Sequence, residues 1–148
     1  MANGILLRSL YVVFAVVICL SRPIFAEPQI CARADKSFQS FLSKFAEDAS
    51  FQRIRIVFPV VYRYGRLENG DLRTELWSAE KLGHLDGPLI LTRAQRQQRN
   101  VVQEVSLTTK TYVEVFHYKR DADSYEIVYA FRRVDGCWFL ESLHNTSL

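Results

Sequence analysis

Phe38, Phe41, Leu42 and Phe45 recur at the spacing i, i+3, i+4, i+7, which draws one apolar stripe along a helix over Asp35 to Asp48. Asp35 or Ser37 supplies a cap for its first turn. A break follows at Asp48-Ala49-Ser50, and a short second turn carries Phe51. The period then changes. Ile54 to Tyr64 is rich in β-branched and aromatic residues and reads as strand. Pro59 interrupts it, so an edge position, a bulge or two pieces are expected, because proline brings no N–H to a ladder. Asn69-Gly70 is a hairpin signal, with Leu72 to Trp77 as the returning strand. Lys81 to Pro88, with two glycines and a proline, reads as loop, followed by a short apolar run, Leu89-Ile90-Leu91.

Four further strands are expected over Val101–Leu107, Thr111–Lys119, Tyr125–Val134 and Cys137–Leu143, the last two joined by a tight turn at Asp135-Gly136. In the third of these, Tyr125, Ile127, Tyr129 and Phe131 alternate with Glu126, Val128, Ala130 and Arg132. One face is apolar and the other mixed, the pattern of an antiparallel sheet covered on one side by helix. A leading helix and segregated antiparallel strands make the fold class α+β.

The first 26 residues stand apart. Arg8 precedes an apolar run from Leu10 to Leu20, and Ile24-Phe25-Ala26 ends on a small residue. This predicts a cleaved secretory signal rather than a membrane anchor, since a spanning helix needs about 20 apolar residues. Removing it leaves a single expected domain over residues 27–148. Arg8 and Arg22 leave with the signal, so 17 basic residues face 16 acidic ones. A near-neutral chain offers no charge field for nucleic acid. Cys19 is lost, and Cys31 and Cys137 remain as a pair in an oxidising compartment, secreted and most simply periplasmic. A bridge between them closes nearly the whole domain and contributes roughly 4–5 kcal/mol by chain-entropy arguments.

Chemistry is sparse. His84, His117 and His144 have no second ligand at metal spacing, so neither a metal nor a cofactor is expected. His117 alone lies in a predicted strand, on the same face as Val113 and Val115. Structural hydrogen bonding is its first reading, and its near-neutral titration keeps a base in view. Arg93, Arg96 and Arg99 at spacing three read as a solvated helical turn or exposed loop before they read as a phosphate patch. Asp121 and Asp123 solvate a turn, and Asn145-Thr146-Ser147 matches a glycosylation acceptor. No nucleophile elbow or glycine-rich phosphate loop is present. The strand tyrosines, with Trp77, are core-formers first, yet a curved sheet is able to gather Tyr62, Tyr129 and Trp77 at a pocket mouth. Gln52, Arg53 and Arg55 are polar among phenylalanines and are candidates for a pocket or partner face; outward-pointing strand residues are the plainer reading.

Phe38-x-x-Phe41, Phe45-x-x-Asp48 and the block from Phe51 to Pro59 resemble a family of small bacterial secreted proteins catalogued as a domain of unknown function. The ending Asp135-Gly136-Cys137-Trp138-Phe139-Leu140 is similar to the last hairpin of nuclear-transport-factor-2-like domains. The resemblance implies helices packed in a strongly curved sheet, a cone open at one end. Such cones host ketosteroid-isomerase-like enzymes, binding pockets and assembly modules, and the fold does not choose among them. An isomerase of that kind pairs an acidic base with tyrosine and acid donors, and no carboxylate in this sequence has an evident partner. The expectation is therefore a non-catalytic binder of a small ligand or an envelope protein, possible as a homodimer. An isomerase or hydrolase using Tyr62, His117 or Tyr129, and an immunity or inhibitor protein against a toxin, are the alternatives.

Overall fold

The structure is a computed structural model that describes residues 31–65, 72–84 and 88–146, the side chains at 122–124 excepted. The proposed signal and the Asn69-Gly70 turn lie outside the described residues. Helix α1 (Phe38–Glu47) starts at Ser37, whose hydroxyl accepts from the Ser40 N–H at 3.1 Å. Ser37, not Asp35, is thus the cap. Phe41, Leu42 and Phe45 are its buried residues, as the stripe required. Asp48 ends α1 and begins α2 (Ala49–Arg53), its carboxylate accepting from the Ser50 and Phe51 N–H groups, both at 2.9 Å. Those backbone donors hold the Asp48 carboxyl below its ordinary range.

Strand β1 (Ile56–Tyr64) follows, then β2 (Arg73–Trp77), α3 (Ala79–Gly83) and α4 (Arg93–Arg99). β3 (Val102–Thr109), β4 (Tyr112–Lys119), β5 (Ala122–Val134) and β6 (Cys137–Asn145) complete one six-stranded sheet in the order β2-β1-β6-β5-β4-β3. Four of the pairings are antiparallel, and β1 runs parallel to β6. Pro59 does not put β1 at the edge. It falls where the β1–β6 register shifts, between Ile56↔Leu140 and Val61↔Ser142, and outside the β1–β2 pairs, which begin at Val60. The missing N–H is accommodated at a bulge, one of the three outcomes expected. Asp135 and Gly136 both have positive φ, 49° and 83°, as a two-residue hairpin turn demands. A Cβ at Gly136 would also lie 2.9 Å from that of Ala34.

The stretch read as loop contains more helix than expected. α3 occupies Ala79–Gly83, started by the Ser78 hydroxyl, which accepts from the Lys81 N–H. α4 carries a capping box in which Thr92 and Gln95 satisfy each other's backbone, and Asn100 ends it in the left-handed region. The helical turn expected for the three arginines is present, but only Arg93 and Arg99 are solvated; Arg96 is half-buried and donates to the Leu91 carbonyl at 2.9 Å. Between the two helices Ile90 is completely buried and Leu91 nearly so. The Leu89–Leu91 run is therefore a plug in the core rather than a strand.

The core lies between α1 and the helix-facing side of the sheet. Phe41 and Phe45 pack edge-on against Phe131, with ring centroids 5.5 and 5.4 Å apart, and Phe38 meets Trp138 at 5.0 Å. Cys31 and Cys137 are bridged, with Cα atoms 6.3 Å apart, and join the segment before α1 to the start of β6.

Candidate functional site

Strand register decides which sequence candidates meet. One row across the helix-facing side of the sheet runs Val105, Val115, Tyr129, Leu143, Tyr62, Glu75, and the next runs Gln103, His117, Ile127, Asn145, Tyr64, Arg73. Tyr62, His117 and Tyr129 therefore share one face, and Trp77, opposite Val60, joins them. They form two groups rather than one. Tyr62 stacks on Trp77 at 3.9 Å and on Tyr64 at 5.5 Å. His117 meets Tyr129 edge-on at 5.1 Å, deeper in the core.

Sequence reasoning missed the residue that organises the first group. Glu75 accepts hydrogen bonds from the Tyr64 hydroxyl at 3.1 Å and the Trp77 indole at 3.0 Å, and is ion-paired with Lys81. Lys81, then Trp77 and Tyr64, hold its carboxyl at about 2. A signal was available, since Glu75 stands two residues before Trp77 and alternation places both on one face. The carboxylate beside tyrosines that an isomerase needs is thus present, but it is engaged by Lys81, Trp77 and Tyr64, which weaken it as a base. Asn145 donates from Nδ2 to the Tyr62 hydroxyl at 3.3 Å, and the Thr146 hydroxyl bonds Glu126. The glycosylation-like triplet thus begins inside the sheet's own hydrogen bonding.

His117 is fully buried. Its Nε2 lies 3.1 Å from the Gln103 Oε1, and its Nδ1 has no partner. Burial, with the nearby Arg96 guanidinium, lowers its pKa to about 4. The ring is neutral at physiological pH, and its first reading as a hydrogen-bonded structural residue fits this geometry. Burial likewise raises the Tyr129 phenol far above its ordinary value. Neither group is poised for proton transfer near neutrality.

The three polar candidates after α1 separate. Gln52 and Arg53 belong to α2, not to a strand, and Gln52 donates to the Phe45 carbonyl at 3.0 Å. Arg55 does not point outward. It is 5% exposed and forms a two-pronged pair with Asp35, at 2.9 and 3.1 Å. It also donates to the Trp138 carbonyl at 3.2 Å, while the Trp138 N–H donates to Asp35 at 2.8 Å. Asp35, read as a helix cap, is instead the acceptor that makes this buried arginine tolerable.

Gln52 and Arg53 rim a cleft of about 370 Å³ between α2, the start of β1, α3 and the 88–92 segment. Ile56, Phe58, Leu82 and Leu89 wall it. Its size falls in the range of small-molecule sites, and apolar walls with a few polar rim groups are their usual construction. A second, more open groove of about 650 Å³ runs beside the disulfide between the 31–36 segment, α1 and α2. Among the described residues, no cluster of histidine, cysteine and acidic side chains has the makings of a metal site. Nor is any described helix long and apolar enough to cross a membrane.

Comparison with one solved structure agrees with this architecture. A nuclear-transport-factor-2-like protein from Bacteroides fragilis superposes with a TM-score of 0.55 at 15% identity, over 80% of this chain and 50% of that one. This chain therefore spans about half the length of that protein, and the likeness concerns the fold. A nuclear-transport-factor-2-like protein of unknown function from Pseudomonas putida aligns with a TM-score of 0.35 at 12% identity, over 73% of this chain and 79% of that one. No curated protein matches the sequence. The sequence profile of DUF4348, a domain of unknown function, matches residues 19–148, and the chain belongs to that family, with a nuclear-transport-factor-2-like fold.

Proposed function

We propose that this protein is a secreted, periplasmic, non-catalytic binding protein whose small ligand lodges in the cleft between α2 and α3. The observation that carries the reading is the cleft itself: about 370 Å³, walled by Ile56, Phe58, Leu82 and Leu89 and rimmed by Gln52 and Arg53. The lining favours a molecule with an apolar body and an oxygen-bearing end that accepts hydrogen bonds from the rim. Binding is favoured over turnover because the ionisable groups on the same sheet face are poorly matched to proton transfer. Glu75 is held at about 2 and His117 at about 4. Export is supported by the apolar run from Leu10 to Leu20 and by the Cys31–Cys137 bridge, which suits an oxidising compartment.

Native mass spectrometry of gently purified protein tests the reading. The expected result is an extra mass that disappears on denaturation, is weakened by Arg53→Ala and is abolished by Leu89→Trp, which fills the cleft. Retention of the extra mass by a folded Leu89→Trp protein places the ligand elsewhere. A bare mass, with no thermal shift from a panel of amphiphilic carboxylates, removes the support for a ligand here.

A further inference from the structure

The 650 Å³ groove beside the disulfide has a composition unlike the cleft. Arg33 and Lys36 on the segment leading into α1, and Lys44 in its last turn, line it together with Phe41, Phe51 and the exposed Ile54. The carboxylate in this lining, Asp35, is occupied by Arg55 and the Trp138 N–H. Among the described residues, no carboxylate lies within ion-pair distance of Arg33, Lys36 or Lys44. Lys44 stands over the Phe51 ring at 4.4 Å, and Arg55 approaches the same ring at 4.8 Å. Cations are thus crowded onto an aromatic floor with one acidic partner already engaged. Asp48, whose carboxyl feels Lys44 and Arg53, is committed to capping α2.

We infer that this groove is a docking site for an acidic peptide segment of a partner protein, with carboxylates facing Arg33, Lys36 and Lys44 and an apolar side chain seated against Phe51 and Ile54. Charge complementarity selects the occupant. The cations sit on separate stretches of chain, so they suit several carboxylates in a row better than one anionic head group. The concave floor also favours an inserted chain over a flat lipid surface, which meets only the rim. The groove walls are braced for such a role. The bridge fixes Cys31 to β6, and the Asp35–Arg55 pair fixes the segment between Cys31 and α1 to the end of α2. Little ordering then accompanies binding.

Fluorescence anisotropy with a short labelled peptide alternating glutamate and leucine provides the test. The expected result is saturable binding that weakens as salt rises. The exposed double variant Lys36→Glu/Lys44→Glu loses roughly tenfold or more in affinity, and Lys110→Glu, in the β3–β4 turn, changes nothing. Absence of saturable binding overturns the inference, as does an equal loss in the Lys110→Glu control. Binding of phosphatidylglycerol vesicles without binding of the peptide also overturns it, and assigns the patch to a lipid surface.

Discussion

The two ends of the sheet treat buried polar groups in opposite ways. At the end bearing the β5–β6 turn, Arg55 and Asp35 are buried as a pair, and each partner also bonds the Trp138 backbone. The Arg55 carbonyl also receives the Leu140 N–H, and the Asp35 N–H reaches the Gly136 carbonyl. A disulfide and a cluster of phenylalanine rings surround them. At the other end, His117 is buried with one ring nitrogen unpartnered, and Glu75 gathers Tyr64, Trp77 and Lys81 in a partly exposed cluster. Satisfied polar groups brace the first end, whereas the unpartnered His117 nitrogen leaves the second sensitive to pH.

The sharpest way to break the comparison is at Asp35. Asp35→Ala leaves the Arg55 guanidinium buried without its counter-charge and should cost about 3–5 kcal/mol, measurable by urea denaturation. A loss below about 1 kcal/mol would show that water reaches the pair and that this end is not the anchor. Next in size is the response to acid. The folded-state pKa of His117 lies at about 4, below the ordinary 6.5, so the unfolded chain takes up the proton first. Stability from this group is fully present above about 6.5, declines as pH falls and is lost by about 4, a change of about 3 kcal/mol. His117→Gln should flatten that part of the stability profile; an unchanged slope would place the acid sensitivity elsewhere. Smallest is Tyr62→Phe. It removes the oxygen to which Asn145 donates and keeps the stack on Trp77, so a loss of about 0.5–1 kcal/mol is expected from the thermal transition.

Legibility in the sequence follows the same division. Local patterns were sufficient for α1, the closing strands and the Asp135-Gly136 turn, because helix stripes, strand alternation and turn chemistry act over a few residues. α3 was missed because its five residues carry no apolar period and sit among loop-forming glycines. The Cys31–Cys137 bridge was legible by elimination once Cys19 was assigned to the signal. Tyr62, Trp77, His117 and Tyr129 were picked out as residue types, but their separation into a surface stack and a buried pair was not visible. Glu75 was overlooked and Asp35 was read only as a candidate helix cap, because their importance lies in partners: Asp35 takes its own from 20 and 103 positions away.

The sequence by itself determined the α+β class, the helix stripe, the strand periods and the pairing of Cys31 with Cys137, since each depends on neighbours along the chain or on cysteine count. Tertiary structure alone decided the rest. It paired β1 in parallel with β6, turned Arg55 inward onto Asp35, set Ile90 in the core and opened a cleft beside Gln52 and Arg53. Charge pairing, desolvation and cavity shape depend on distances through space, and those distances exist only once the sheet has fixed its register.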